Sequence, residues 1–174
     1  KNIANLLFQA NILKNIPRSG YQFLGAGKES VAEHSFSVSF IAFVMVQMEP
    51  DVDAFRLISM CLVHDLPEAK TGDLNYVQKK YVTANEDKAL RHITQNLPFG
   101  TTLADLIKEF NERRSLESKL AHDADQLALI LDLKALLDIG YDPPKKWLPF
   151  ALNRLEGGRM IVLWESSEAK RDAP

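Results

Sequence analysis

Apolar residues recur along this chain at spacings of three and four, almost from end to end. That period is the signature of amphipathic helices, and nowhere does an apolar–polar alternation run long enough for a half-buried strand. Residues 2–14 put Ile3, Leu6, Leu7, Ala10 and Leu13 on one face. Ile16-Pro17-Arg18-Ser19-Gly20 then breaks the pattern, and Ser30 is placed to cap a second helix running to about Met48. A third is expected to begin at Pro50-Asp51, with Phe55, Ile58, Leu62 and Val63 on its apolar side, and to reach His64-Asp65-Leu66 before Pro67. Further helices are expected at 86–97, 102–113 and 115–138, the last stopped by Gly140. Pro143-Pro144 separates two final helices at 145–154 and 157–166. The expectation is an all-α protein, a single helical bundle of about seven to nine helices. The bundle would cover residues 1–166, with a polar tail at 167–174.

A chain of 174 residues suits one domain with a substantial core. Its formal net charge of −2 and pI near 6.1 exclude a dominant nucleic-acid footprint and leave room for a small anionic ligand. The single cysteine, Cys61, excludes an internal disulfide framework and points to a reducing compartment. The longest apolar stretch, Phe36 to Met48, is interrupted by Ser37, Ser39 and Gln47, so no membrane span is expected. Nothing resembles a signal peptide, and the expected location is the cytoplasm.

Titratable residues sit on apolar helix faces at three places. His34 shares its face with Val31, Val38, Ile41 and Met45. Taken alone it reads more readily as a hydrogen-bonded core histidine. His64-Asp65 follows Leu57, Met60 and Cys61; the competing reading is a favourable histidine at a helix C-terminus beside a capping Asp. Asp125 lies between Ala121 and Ala128, where small neighbours make room, although a solvated Asp would look the same. Together they amount to two imidazoles and two carboxylates. His34, His64, Asp65 and Asp125 thus form a ligand set for a divalent ion such as Mn, Fe, Co or Zn, with open positions left for water and substrate.

The order of these blocks resembles the HD-domain metal-dependent phosphohydrolases. Glu29-Ser30-Val31-Ala32-Glu33-His34-Ser35 is similar to the first-histidine motif of the 5'-deoxynucleotidase branch. His64-Asp65 with Glu68, followed by Thr71-Gly72-Asp73, is similar to its central motif, and Ala124-Asp125-Gln126-Leu127 to its last. The resemblance runs over about residues 5–140. It implies that His34, His64, Asp65 and Asp125 hold one divalent metal (Mn, Co, Fe, Mg or Zn). It implies Glu68 as the base or orienter of the attacking water, Asp73 near the sugar or leaving group, and Arg18 on the phosphate. The implied activity is hydrolysis of deoxynucleoside 5'-monophosphates; triphosphates, cyclic nucleotides or a non-catalytic sensor are the alternatives. Relatives often carry Trp beside the arginine, where this chain has Ser19, with Tyr21 two positions on. A homodimer is also implied, with Trp147 and Trp164 either packed in the core or on its seam. A second doublet, His122-Asp123, is expected on the surface, as are His92, Lys79-Lys80 and Arg113-Arg114.

Overall fold

The computed structural model describes residues 2–156. Helix α1 (Asn2–Ile12) leads through a 3-10 turn, Leu13–Asn15, to the short α2 (Tyr21–Leu24). Then come α3 (Val31–Met48), α4 (Ala54–Val63), the single turn α5 (Glu68–Thr71), α6 (Glu86–Thr94), α7 (Gly100–Glu112), α8 (Leu116–Asp138) and α9 (Leu148–Leu152). No strand is present among the described residues; Pro17 and Ser30 form one isolated bridge. The expected helix at 157–166, Trp164 and the tail at 167–174 lie outside the described residues.

The centre is α8, packed by α3 and α4, with α7 and α9 against its two halves. Ala121, Ala124 and Ala128 let the neighbouring backbones approach, and Val38, Ala42, Met45, Leu57 and Met60 fill the space with no exposure to solvent. A second cluster joins Leu13, Val31 and Leu66 to α6 and α7. A third joins Leu24 to Leu127, Ile130 and Leu133 of α8 and to Ala151. Full burial of residues such as Leu57 stabilises by about 2–3 kcal/mol each.

Several boundaries differ from the sequence reading. The third helix starts at Ala54, because Asp53 caps it by accepting a hydrogen bond from Arg56 N at 2.9 Å. Its buried face is Leu57, Met60 and Cys61, whereas Phe55 and Leu62 are exposed. The face assigned to α1 is also largely exposed at Ile3 and Leu7. Helix α3 has 18 residues with mean hydropathy 1.4, apolar and long enough by composition to cross a membrane despite its interruptions. Its inner side is nonetheless packed in the core and carries the buried His34 and Ser35. Its outer side shows a ladder of exposed phenylalanines, Phe36, Phe40 and Phe43, with ring centroids 6.2 and 6.1 Å apart.

Candidate metal centre and active-site cleft

Helix α3 begins with a capping box. Ser30 Oγ accepts from Glu33 N at 3.2 Å, and Glu33 Oε2 accepts from Ser30 N at 2.7 Å. The preceding chain is pinned beside it, since Arg18 N donates to Glu29 O and Val31 N to Ile16 O, both at 2.9 Å. One start signal therefore sets both the rotation of His34 and the position of Arg18. The His34 imidazole is 1% exposed. Its Nδ1 lies 3.6 Å from Glu29 Oε2, and its Nε2 lies 2.9 Å from Asp125 Oδ1.

His64 follows the last residue of α4 and stays in helical conformation. The turn continues through Leu66 N to Val63 O and Glu68 N to Asp65 O, so Pro67 caps α5 instead of cutting through a helix. His64 Nδ1 donates to Cys61 O at 2.8 Å, which turns Nε2 toward the cleft. That nitrogen is buried and makes no hydrogen bond of acceptable geometry, although Asp65 Oδ2 is 3.2 Å away. The same Asp65 oxygen lies 3.9 Å from His34 Nε2 and 3.4 Å from Arg18 Nη1. Gly72, at φ +73, ends α5 and turns Asp73 toward Ser19. Asp73 Oδ2 accepts from Ser19 N at 2.7 Å and from Ser19 Oγ at 3.3 Å.

One atom each from His34, His64 and Asp125 lies within 4.8 Å of the others. Asp65 borders this group through its contacts to both imidazoles. The donor set suits a divalent cation: two imidazoles oriented from behind, by Glu29 and by the Cys61 carbonyl, and carboxylate oxygens facing them. The orphaned Nε2 of His64 is what a bound ion would satisfy. Electrostatics point the same way. Burial disfavours a charged His34, but its hydrogen bonds to Asp125 and Glu29 outweigh burial and raise its pKa to about 9. Loss of hydration opposes the charge on the half-buried Asp125 too, yet His34, His64 and Arg18 hold it far below the ordinary carboxylate range. A cation entering here displaces a proton and takes over its role.

Around the centre is a cleft of about 350 Å³, lined by Arg18, Ser19, His34, His64, Asp65, Glu68, Asp73 and Asp125 among others. Burial opposes the charge on Arg18, but Asp65, Asp125, Asp73 and Glu68 overcome it and raise its pKa. Burial, then repulsion from Asp65 and Asp73, pushes the Glu68 carboxyl up to about 9, with Arg18 and Lys79 pulling the other way. A larger groove of about 1100 Å³ borders Lys14, Lys28 and Phe36, but none of the metal-facing side chains lines it.

All seven residues singled out by sequence therefore meet in one cleft. Sequence reading missed Glu29, which faces both His34 and, at 3.9 Å, Arg18 Nε. It also missed Ser19 as the partner of Asp73, and Lys79 and Arg154 on the cleft wall. An acid next to a strong capping signal was the one hint for Glu29. The His122-Asp123 doublet is not on the surface: Asp123 is 1% exposed and its Oδ1 accepts from Glu156 N at 2.8 Å, while His122 is half-buried, its Nε2 donating to Phe110 O at 2.7 Å and its ring stacking on Phe110 at 3.9 Å. Phe110 in turn lies 4.7 Å from the His64 ring. His92 is exposed.

A family model described as "HD domain" matches residues 10–144. The 5'-deoxynucleotidase HDDC2 of Mus musculus is 31% identical over 137 residues, covering 75% of this chain and 68% of that protein. The 5'-deoxynucleotidase HDDC2 of Bos taurus is 25% identical and spans 99% of this chain and 87% of that protein. A conserved hypothetical protein from Pyrococcus furiosus superimposes with a TM-score of 0.78 at 28% identity, over 94% of this chain and 97% of that one. The predicted metal-dependent phosphohydrolase of Magnetospirillum magnetotacticum shares the fold, with a TM-score of 0.74 at 21% identity over 95% and 88% of the two chains.

Proposed function

This chain belongs to the HD-domain family, and from that premise we propose that it is a metal-dependent phosphomonoester hydrolase. Its substrates are deoxynucleoside 5'-monophosphates, and its products are deoxynucleosides and phosphate. The observation that carries this reading is the meeting of a two-histidine carboxylate centre, a half-buried arginine and a glutamate in one cleft. Relatives named 5'-deoxynucleotidase support the choice of substrate.

His34, His64, Asp65 and Asp125 are the residues that hold the metal, as one ion per chain. A bound divalent cation supplies Lewis acidity toward water and toward a phosphate oxygen. Arg18 binds the phosphate: its guanidinium is held at Asp65 and Glu29 and offers charge-assisted donors to a dianion. Glu68 takes the proton from the attacking water once the charge of a bound cation offsets the burial and the repulsion from Asp65 and Asp73 that keep it protonated in the metal-free chain. The water oxygen bonds to phosphorus as the bond from phosphorus to the 5' oxygen breaks, and that oxygen leaves with a proton. Asp73, fixed by two bonds from Ser19, faces the leaving nucleoside and passes to its 5' oxygen the proton that Glu68 has taken from the water.

A cytoplasmic location is part of the proposal, supported by the single buried cysteine. So is a homodimer, which the exposed ladder of Phe36, Phe40 and Phe43 favours and light scattering would check. The test of activity is phosphate release from deoxy- and ribonucleoside monophosphates, triphosphates and cyclic nucleotides with Mn, Co, Mg and Zn. Metal-dependent turnover of monophosphates supports the reading. Turnover of triphosphates or cyclic nucleotides alone reassigns the substrate. Binding of metal and monophosphate without turnover makes the protein a sensor.

A further inference from the structure

The cleft holds two amide side chains with an end that nothing in the protein satisfies. Asn75 is 8% exposed and lines the cleft just beyond Asp73. Its orientation is fixed: Oδ1 accepts from Val77 N and Gln78 N, both at 3.0 Å, while Asn75 N donates to Gln78 Oε1 at 3.1 Å. Flipping the amide would set its NH₂ against two N–H donors, so the assignment of oxygen and nitrogen follows from the network. The turn is thus served by one end of the amide. The other end, Nδ2, is buried without an acceptor. Gln126, the residue after Asp125 on α8, lines the same cleft with a buried Oε1 that has no donor.

Buried polar atoms without partners are rare in folded proteins, and two lining one cleft call for a ligand. The phosphate end of the cleft is already furnished by Arg18 and the metal centre. Asn75 and Gln126 are neutral, and the same cleft is lined by Tyr76, Leu129 and Trp147, surfaces suited to a planar, mostly apolar group, alongside the cationic Lys79 and Arg154. We propose that Asn75 and Gln126 recognise the nucleoside part of the substrate, the Asn75 amide donating to one of its oxygens or ring nitrogens and Gln126 bonding a second polar edge. This inference rests on the nucleotidase reading. It assigns substrate selection to residues outside the metal and phosphate machinery.

The test uses Asn75→Ser, whose hydroxyl can still accept from the turn N–H groups, Asn75→Asp, which keeps the turn acceptor but replaces the donor, and Gln126→Met, which keeps length and helix propensity. Three quantities are read in wild type and variants: KM for a deoxynucleoside 5'-monophosphate, inhibition by the product nucleoside, and inhibition by inorganic phosphate. Loss of one hydrogen bond predicts a rise of about tenfold in KM and in the nucleoside inhibition constant. For Asn75→Ser and Gln126→Met the phosphate inhibition constant should stay within about twofold, the precision of such comparisons. Equal weakening of nucleoside and phosphate would show a merely structural role and overturn the inference, as would no change in either. A wild type inert on every monophosphate overturns the nucleotidase reading itself. An active wild type with unaffected variants overturns only the role of the two amides.

Discussion

Replacing Glu68 by Gln isolates a strongly perturbed carboxyl of the cleft. Its pKa moves from 4.5 to about 9 in the metal-free protein, first because it is buried and then because Asp65 and Asp73 repel its charge. Between those two values the folded chain keeps a proton that the unfolded chain has lost. Stability therefore falls as pH rises through that window. Each unit is worth about 1.4 kcal/mol, so by pH 8 the cost is on the order of 3–5 kcal/mol. Gln carries no charge at any pH and escapes it. For a chain of this size about 1 kcal/mol shifts Tm by 2–4 °C, so the variant should melt roughly 5–15 °C above wild type at pH 8. Near pH 5 the difference should nearly vanish. Thermal denaturation followed by circular dichroism, in chelator at both pH values, measures it. A Tm difference that does not grow with pH, or a wild type that is the more stable at pH 8, would refute the assignment of a raised proton affinity to Glu68. With metal added, the same variant should lose about 10²–10⁴-fold in turnover, the range for removal of a positioned base.

Arg18→Ala should lower kcat/KM for monophosphates by about 10²–10³-fold, with Arg18→Lys recovering part of the loss, in steady-state kinetics. Ser30→Ala removes the capping oxygen of α3 and should cost about 1 kcal/mol, seen as a fall of a few degrees in Tm. Cys61 is fully buried and its thiol is pushed up to about 12 by burial and then by Asp125, so a disulfide reagent should label it only after denaturation.

Local chemistry was legible wherever a signal sat next to its effect. Ser30 and Glu33 announced the start of α3, and Gly140 the end of α8, because caps act on neighbouring backbone groups. His34 and Asp125 could be read because each lies on a helix whose other inward positions are apolar, and His64-Asp65 because the doublet directly follows one. What the chain left hidden depends on partners far away in sequence. His122 looked polar-faced from its own helix, but its partner is Phe110 on α7. Phe55 and Leu62 looked like core and are exposed, since α8 and α7 cover the side of α4 that carries Leu57 and Cys61. Ser19 gave no sign that it fixes Asp73, because that contact needs the turn at Gly72. Asn75 and Gln126 were ordinary polar residues until their unsatisfied ends were seen in the cleft.

The central claim is that one divalent ion, held by His34, His64, Asp65 and Asp125, is what turns this cleft into a phosphatase. Calorimetric titration of Mn or Co into chelator-treated protein, with phosphate release from a deoxynucleoside monophosphate assayed at each addition, tests it most directly. The account predicts activity rising in step with binding and saturating at one ion per chain, and both signals lost in His64→Ala and Asp125→Ala. Full turnover in the presence of chelator, or undiminished metal-dependent activity in those two variants, would contradict it.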